Sequence, residues 1–364
     1  MKFSISRSEL LDSLGVVTKA LSSRTTLPIL SGILVMALDN KVVLQSTDLE
    51  ISIKDTVEAN VEDAGSVVLP GRLLAEVVRS LPEAAVTIET KTFDQVAVTC
   101  GEAAFVLRAL SPEDFPRFPD VAPERKITVA TPTLQSLVRK VAKAVSQDEA
   151  RPVLTGVLMV VDGDTMRLVA TDSYRLAIAE ETLPEPVAER TEVVIPGKAL
   201  EEIPRLAGEA ETIEMGIADN QIVFEFGHSI YVTRRIEGTF PNYRQLVPED
   251  GETKVVVKRA ELEEAAKRVS LLAQHNAPLR LTISESTLTL KAQSQDIGEA
   301  TESIMVQTQG EGLEIAFNHA FLIQGVTSSD DEELRFLASS PLKPGVLKSA
   351  TGEGYTYLIM PVRP

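Results

Sequence analysis

The sequence predicts an α+β protein of three similar domains, each with two helices among antiparallel strands. Three observations carry this reading. The segments "KFSISRSELLDSLGVVTKAL" (2–21), "KITVATPTLQSLVRKVAKAV" (126–145) and "KVVVKRAELEEAAKRVSLLA" (254–273) open alike, with Lys, a short β-rich run and a helical pattern. Leu10, Leu134 and Leu262 fall at the same place, so the spacing is 124 and then 128 residues; a solenoid unit is only about 20–50 residues, and each copy is therefore a domain. A chain of 364 residues has room for two or three such domains.

Taken in order, each copy reads β-α-β-β-β and then β-α-β-β-β. The strands show as alternating or β-branched runs, among them "VVLQST", "VTIETK", "IVFEFG" and "YVTRRI". Helices are expected over 7–20, 71–81, 131–146, 197–207, 258–272 and 317–327, with start signals at Ser8, Thr131 and Gly197. The first two copies stay in step: "LPILSGILVMAL" (27–38) matches "RPVLTGVLMVVD" (151–162), "VVLPGRLLAEVVRSL" (67–81) matches "VVIPGKALEEIPRLA" (193–207), and "EDFPRF" (113–118) matches "GTFPNY" (238–243). The third is more divergent, with "APLRLTISESTLTLKA" (277–292) and "EIAFNHAFLIQGV" (314–326) holding the strand and helix places. Polar turn formers in "PERKI" and "EDGETK" set the expected domains at 1–125, 126–253 and 254–364.

Composition narrows the function. The start, "MKFSISRSELLDSLG", lacks the apolar core of a secretory signal, and no run reaches the roughly 18 apolar residues of a membrane helix. The single cysteine, Cys100, forms no internal disulfide, fits a reducing cytosol and reads as a packing residue. A net charge of −17 argues, taken alone, against nucleic acid. The absence of Trp argues against stacking on single strands.

The charge is unevenly placed, however. The six expected helices hold thirteen Lys and Arg against eight Asp and Glu, a balance of +5, which leaves −22 on strands and loops. Within 131–146, Arg139, Lys140 and Lys143 have no acidic neighbour before Asp148, and 139 and 143 share a face. An unpaired basic face asks for an anionic neighbour, and its modest charge suits loose, sequence-blind phosphate contact.

One phrase is written twice and then altered. Residues 46–53 read "STDLEISI" and residues 170–177 read "ATDSYRLA". Asp48 and Asp172 repeat, so each is expected to satisfy the amides of its own Asx turn. Glu50, Ile51 and Ser52 become Tyr174, Arg175 and Leu176, and Tyr and Arg are the types enriched where proteins meet partners.

Across its whole length the chain resembles the bacterial DNA polymerase III β sliding clamp family, on "SSRTTLPILSGIL" (22–34), "ATDSYRLA" (170–177), "FPNYRQLVP" (240–248) and the terminal "YLIMPVRP" (357–364). The resemblance implies two chains joined head to tail in a pseudo-sixfold ring, with helices lining a hole for duplex DNA and sheets forming the outer wall. It implies a cytoplasmic, non-catalytic processivity factor without cofactor or metal, which tethers the replicative polymerase, the clamp loader and repair enzymes through short peptides bearing Gln and a Leu-Phe-like end. The implied peptide cleft has Leu154, Thr171, Leu176, Pro241, Leu246, Leu358 and Met360 in its deep apolar part. Ser173, Tyr174 and Arg175 form its wall, Gln245 stands on its rim, and Pro361, Val362 and Arg363 form a shallower channel. The family's enterobacterial pattern has Gly-His at 173–174, Arg at 245 and Met-Arg-Leu at the end, so the rim here differs. Implied DNA contacts are Arg24, Gln147 and Arg151 on loops, with Arg72, Arg79, Arg139, Lys140, Lys143 and Lys198 on helices. Phe105 and Leu107 would meet Leu271 and Leu272 of a partner chain.

Two other readings are open from the residues themselves. An enzyme would use carboxylates such as Asp48, Asp172, Asp162 or Asp164, yet His228, His275 and His319 are scattered without metal-ligand spacing, and no phosphate loop or nucleophile motif appears. An extracellular repeat protein is opposed by the missing signal.

Overall fold

The computed structural model describes residues 1–22, 26–248, 250–273, 277–294, 297–351 and 354–362. The first repeat gives β1 (Lys2–Ser6), α1 (Arg7–Val17), β2 (Gly32–Leu38), β3 (Lys41–Thr47), β4 (Ile51–Glu58), β5 (Asn60–Asp63), β6 (Gly65–Pro70), α2 (Gly71–Ser80), β7 (Ala85–Thr92), β8 (Gln95–Cys100) and β9 (Ala103–Arg108). The second gives β10 (Arg125–Ala130), α3 (Thr131–Val141), β11 (Gly156–Asp162), β12 (Thr165–Thr171), β13 (Arg175–Thr182), β14 (Thr191–Pro196), α4 (Gly197–Ala207), β15 (Thr212–Ile217), β16 (Gln221–Phe226) and β17 (Ser229–Arg234). The third gives β18 (Thr253–Lys258), α5 (Arg259–Ser270), β19 (Leu279–Ile283), β20 (Thr287–Ser294), β21 (Gly298–Met305), β22 (Gln307–Gln309), β23 (Leu313–Phe317), α6 (His319–Ser328), β24 (Glu333–Ala338), β25 (Gly345–Ser349) and β26 (Tyr355–Ile359).

Local chemistry explains the helix starts. The cap of α1 is Ser6, two residues before the expected Ser8. Its hydroxyl accepts from the Glu9 amide (3.2 Å), which has no partner inside the helix, and donates to the Glu9 carboxylate (2.7 Å). Asn318 caps α6 in the same way, accepting from the amides of Ala320 and Phe321. The expected last turns of α1 and α3 tighten into 3₁₀ geometry at Thr18–Ala20 and Ala142–Ala144.

Packing groups the elements differently from the repeats. Residues 1–131 with 202–235 form one compact unit, and 132–201 with 236–364 form another, so the middle repeat is divided. The reason is strand pairing between repeats, in each unit separately. In the first unit β4 pairs with β17, setting Asp55 opposite Ser229, 174 positions away in the chain. Its eight-stranded sheet runs β10-β15-β16-β17-β4-β3-β2-β6, beside a five-stranded sheet β5-β1-β7-β8-β9. Leu10, Leu14 and Val17 of α1 and Leu74 and Val78 of α2 are buried in its core, at the three- and four-residue spacing of an amphipathic helix.

In the second unit β13 pairs with β26, setting Leu176 opposite Leu358. The nine-stranded sheet runs β14-β11-β12-β13-β26-β25-β24-β18-β22, beside a four-stranded sheet β21-β20-β19-β23. Leu262, Ala265 and Val269 of α5 and Leu322 and Val326 of α6 fill its core. Among the described residues no helix is long and apolar enough to cross a membrane, and no group of three His, Cys, Asp or Glu side chains is placed to hold a metal ion.

Candidate partner-peptide cleft

The repeated phrase folds into the same turn twice. Asp48 Oδ1 accepts from the amides of Glu50 (2.9 Å) and Ile51 (2.7 Å), and Asp172 Oδ1 accepts from those of Tyr174 (2.9 Å) and Arg175 (3.0 Å). Thr47 and Thr171 close both turns, each donating to the carbonyl four residues on and accepting from the amide two residues on. The residue after each Asp is left-handed, with φ 78° at Leu49 and 77° at Ser173. Side chains are disfavoured there, which accounts for the glycine that the family's enterobacterial pattern has in place of Ser173.

What the two turns cap differs. In the second unit, Leu158, Val160, Val169, Leu176, Ile178, Val194, Leu337, Val346 and Leu358 form one buried floor on the nine-stranded sheet, with Phe240 and Tyr243 packed onto it. Leu154 is buried on the turn before β11, and Thr171 is buried opposite Leu176. At the mouth, Tyr174 is 62% exposed, Leu246 53% and Met360 42%. The Met360 amide donates to the Tyr174 carbonyl (2.8 Å). Pro241 and Gln245 are exposed beside Tyr243, and Pro361 and Val362 are half-buried. The Val362 amide donates to the Ala316 carbonyl at the edge of β23. Arg363 lies outside the described residues.

In the first unit the equivalent cluster shrinks to Leu34, Val68 and Phe115, with Ile29 and Met36 half-buried against it. The positions of Val169, Leu176 and Ile178 are there held by Gln45, Ser52 and Lys54, and the Lys54 ammonium lies over the Phe118 ring (4.8 Å). Only the second repeat therefore keeps an apolar floor beneath this turn. Of that floor the sequence reading named Leu176 and Leu358 alone. It missed Phe240 and Tyr243, which the repeated "FPRF" and "FPNY" marked, and the strand residues Leu158, Val160, Val169, Ile178, Val194, Leu337 and Val346.

Arg175 does not stand in the cleft wall. Neighbours along a strand point to opposite faces, and Leu176 holds the cleft face. Arg175 is therefore turned to the helix side, 8% exposed. Its Nε donates to Asp172 Oδ2 (3.0 Å), its Nη1 donates to Gln324 and to the Tyr357 hydroxyl (3.2 Å), and its guanidinium lies over the Phe321 ring (4.2 Å). Burial pushes the Tyr357 hydroxyl up to about 12, against the opposing pull of Arg175. A depression of about 980 Å³ opens on this face, lined in part by Arg175, Phe321, Gln324, Lys143, Gln147 and Lys198.

The expected basic face of α3 is not unpaired. Arg139 is held by Asp330, Lys140 by Glu181 (3.0 Å) and Lys143 by Glu201 (4.0 Å). These acids are distant in sequence, so local spacing could not reveal them. The bond to Arg139 lowers the Asp330 carboxyl below its ordinary range. Arg72, Arg79 and Lys198 are exposed and make no ion pair among the described residues. Arg151 reaches the cleft turn instead of standing free: its guanidinium donates to Asp148 (3.1 Å) and to the Ser173 hydroxyl (2.9 Å). Arg24 lies outside the described residues, as does His275. Leu107 is 6% exposed, already part of its own core, which leaves Phe105 and Val106 as the exposed large apolar residues of β9. Leu271 is 75% exposed and Leu272 half-buried.

Three two-helix repeats sharing fused sheets, with one apolar cleft under a repeated turn, define a protein of the clamp class. Residues 1–119, 128–242 and 244–363 match the N-terminal, central and C-terminal domains of the DNA polymerase III beta subunit. A beta sliding clamp of Staphylococcus aureus is 34% identical over 375 aligned positions, spanning 100% of this chain and 99% of that one. The DNA polymerase sliding clamp of Bacillus subtilis superposes with a TM-score of 0.96 at 32% identity, covering 100% and 99% of the two chains. A putative DNA polymerase III beta subunit of Eubacterium rectale superposes with a TM-score of 0.95 at 30% identity over the full length of both. The chain belongs to the DNA polymerase III beta subunit family, the beta sliding clamps.

Proposed function

We propose that two copies of the chain close head to tail into a ring that encircles duplex DNA and tethers polymerases and other replication or repair proteins, without catalysing a reaction or requiring a cofactor. The observation that carries the tethering is the exposed mouth of Tyr174, Leu246 and Met360 above a floor that the first repeat has made polar. Apolar side chains kept in water over a ready-made core are suited to the Leu-Phe-like end of a partner peptide. Replicative polymerase and clamp loader would compete for this cleft, in the cytoplasm, with Gln245 and Tyr174 altering the rim.

Closure is supported by edges. Strands β9 and β21 each end a sheet, so each presents a row of backbone groups open to a further strand. Phe105 and Val106 lie on one, and Leu271 ends α5, which packs against the other; all three are exposed. Three domains per chain, with boundaries near 125 and 253, make six in the ring. Arg72, Arg79 and Lys198, exposed and without an ion pair among the described residues, are the helix residues best suited to phosphate. Three weak cations do not hold a polyanion tightly, so retention rests on threading. Loading the protein on nicked circular duplex and then linearising it tests this. Release on linearisation is expected, and equal retention on both forms would refute the ring.

A further inference from the structure

The first unit contains a cavity of about 500 Å³ between the outer face of α1, the end of β4 and the β16–β17 turn. Its floor is polar where the corresponding place in the second unit is apolar. Ser13, Asp55 and Ser229 are all buried in it, at 2%, 5% and 7% exposure. The equivalent positions in the second unit are Leu137 and Ala179 of the second repeat and Tyr355 of the third, and the pairing registers agree, with Ser229 opposite Asp55 as Tyr355 is opposite Ala179. Three buried apolar positions have thus become polar together, and the loss of a tyrosine ring has opened space.

The polar groups are not satisfied from within. Ser229 donates to Asp55 Oδ1 (2.6 Å), and among the described residues Asp55 makes no ion pair and the Ser13 hydroxyl has no hydrogen-bond partner. A buried carboxyl group with one hydroxyl donor, beside an orphaned hydroxyl, is costly unless something else pairs with it. Glu9, Asp12 and Glu58 add three more carboxyl groups around the opening, against Lys41 and His228. No three of these acids converge as metal ligands. The apolar side chains of Val16, Val57, Leu206 and Phe226 share the lining. Carboxyl groups set in a partly apolar lining suit a cation whose charges are separated by methylenes.

We propose that this cavity binds a linear aliphatic polyamine, with one ammonium at Asp55 and Ser13 and another at Asp12 and Glu58. Its occupation braces the β4–β17 ladder that joins the first two repeats within this unit. The probe is spermidine, titrated calorimetrically into the full-length chain at moderate salt. One saturable site per chain is expected, weakened about tenfold or more by Asp55→Asn and abolished by Ser229→Tyr, which supplies the ring that the third repeat carries at Tyr355. Asp12→Asn with Glu58→Gln, both exposed, gives a variant that folds whether or not the buried changes do, and it too is expected to weaken binding. Heat that rises without saturation, as for diffuse attraction to an acidic surface, would overturn the proposal. So would a saturable site indifferent to the Asp12 and Glu58 changes, or full displacement by equimolar magnesium.

Discussion

Met360 gives the cleanest measure of the cleft. Fully burying a methionine side chain is worth about 1.5–3 kcal/mol. Met360 is 42% exposed, so a docked peptide can newly cover a share worth about 0.6–1.3 kcal/mol. Truncation also leaves a gap against the peptide, which brings the expected loss for Met360→Ala to about 1–2 kcal/mol, or about 5- to 30-fold in Kd. Leu176 is a poorer probe because it is 1% exposed; Leu176→Ala would remove core packing worth about 2–5 kcal/mol of stability and reach the peptide only indirectly. The assay is fluorescence polarisation with a labelled Gln-Leu-x-Leu-Phe peptide, alongside a thermal melt to show that the fold is intact. Affinity within twofold of the parent for both Met360→Ala and Leu246→Ala would show that the peptide docks elsewhere.

Replacing Arg175 with Ile, the residue at this place in the first repeat, leaves the half-buried Asp172 without its cation and is expected to cost about 1–3 kcal/mol in denaturant unfolding; an unchanged midpoint would show that the pair is dispensable. The raised Tyr357 hydroxyl sets an alkaline limit. Its folded value of about 12 exceeds the ordinary value of about 10, so its contribution is complete below pH 10 and is lost as pH rises toward 12. Tyr357→Phe is expected to flatten that fall by about 2–3 kcal/mol, measured as unfolding free energy against pH. Under the ring reading, Leu271→Asp places a charge on a 75% exposed apolar residue and is expected to shift sedimentation from dimer to monomer.

Much of this was legible because it is local or repeated. The six helices follow from cap residues and apolar spacing, and the Asx turn follows from an aspartate written twice. Other features depend on pairs far apart in the chain. Nothing near Arg139 signals Asp330, and nothing near β4 signals β17, so both the neutralised face of α3 and the division of the middle repeat needed coordinates. Arg175 is a different case. Strand alternation already set it opposite Leu176, but the resemblance drew both residues to one side. The polar floor of the first repeat was also present in the sequence, at Gln45, Ser52 and Lys54, and it acquired meaning once the registers aligned them with Val169, Leu176 and Ile178.

The unfinished sheets carry a further consequence. Both margins carry charge that is already paired: Glu299 and Glu302 of β21 with Lys291 and Arg268, and Arg108 at the end of β9 with Asp94. A strand laid along either margin therefore meets neutralised side chains, and the open backbone groups are what it can pair with. Under the ring reading the joint is heterologous: one end of the chain pairs with the opposite end of a second copy.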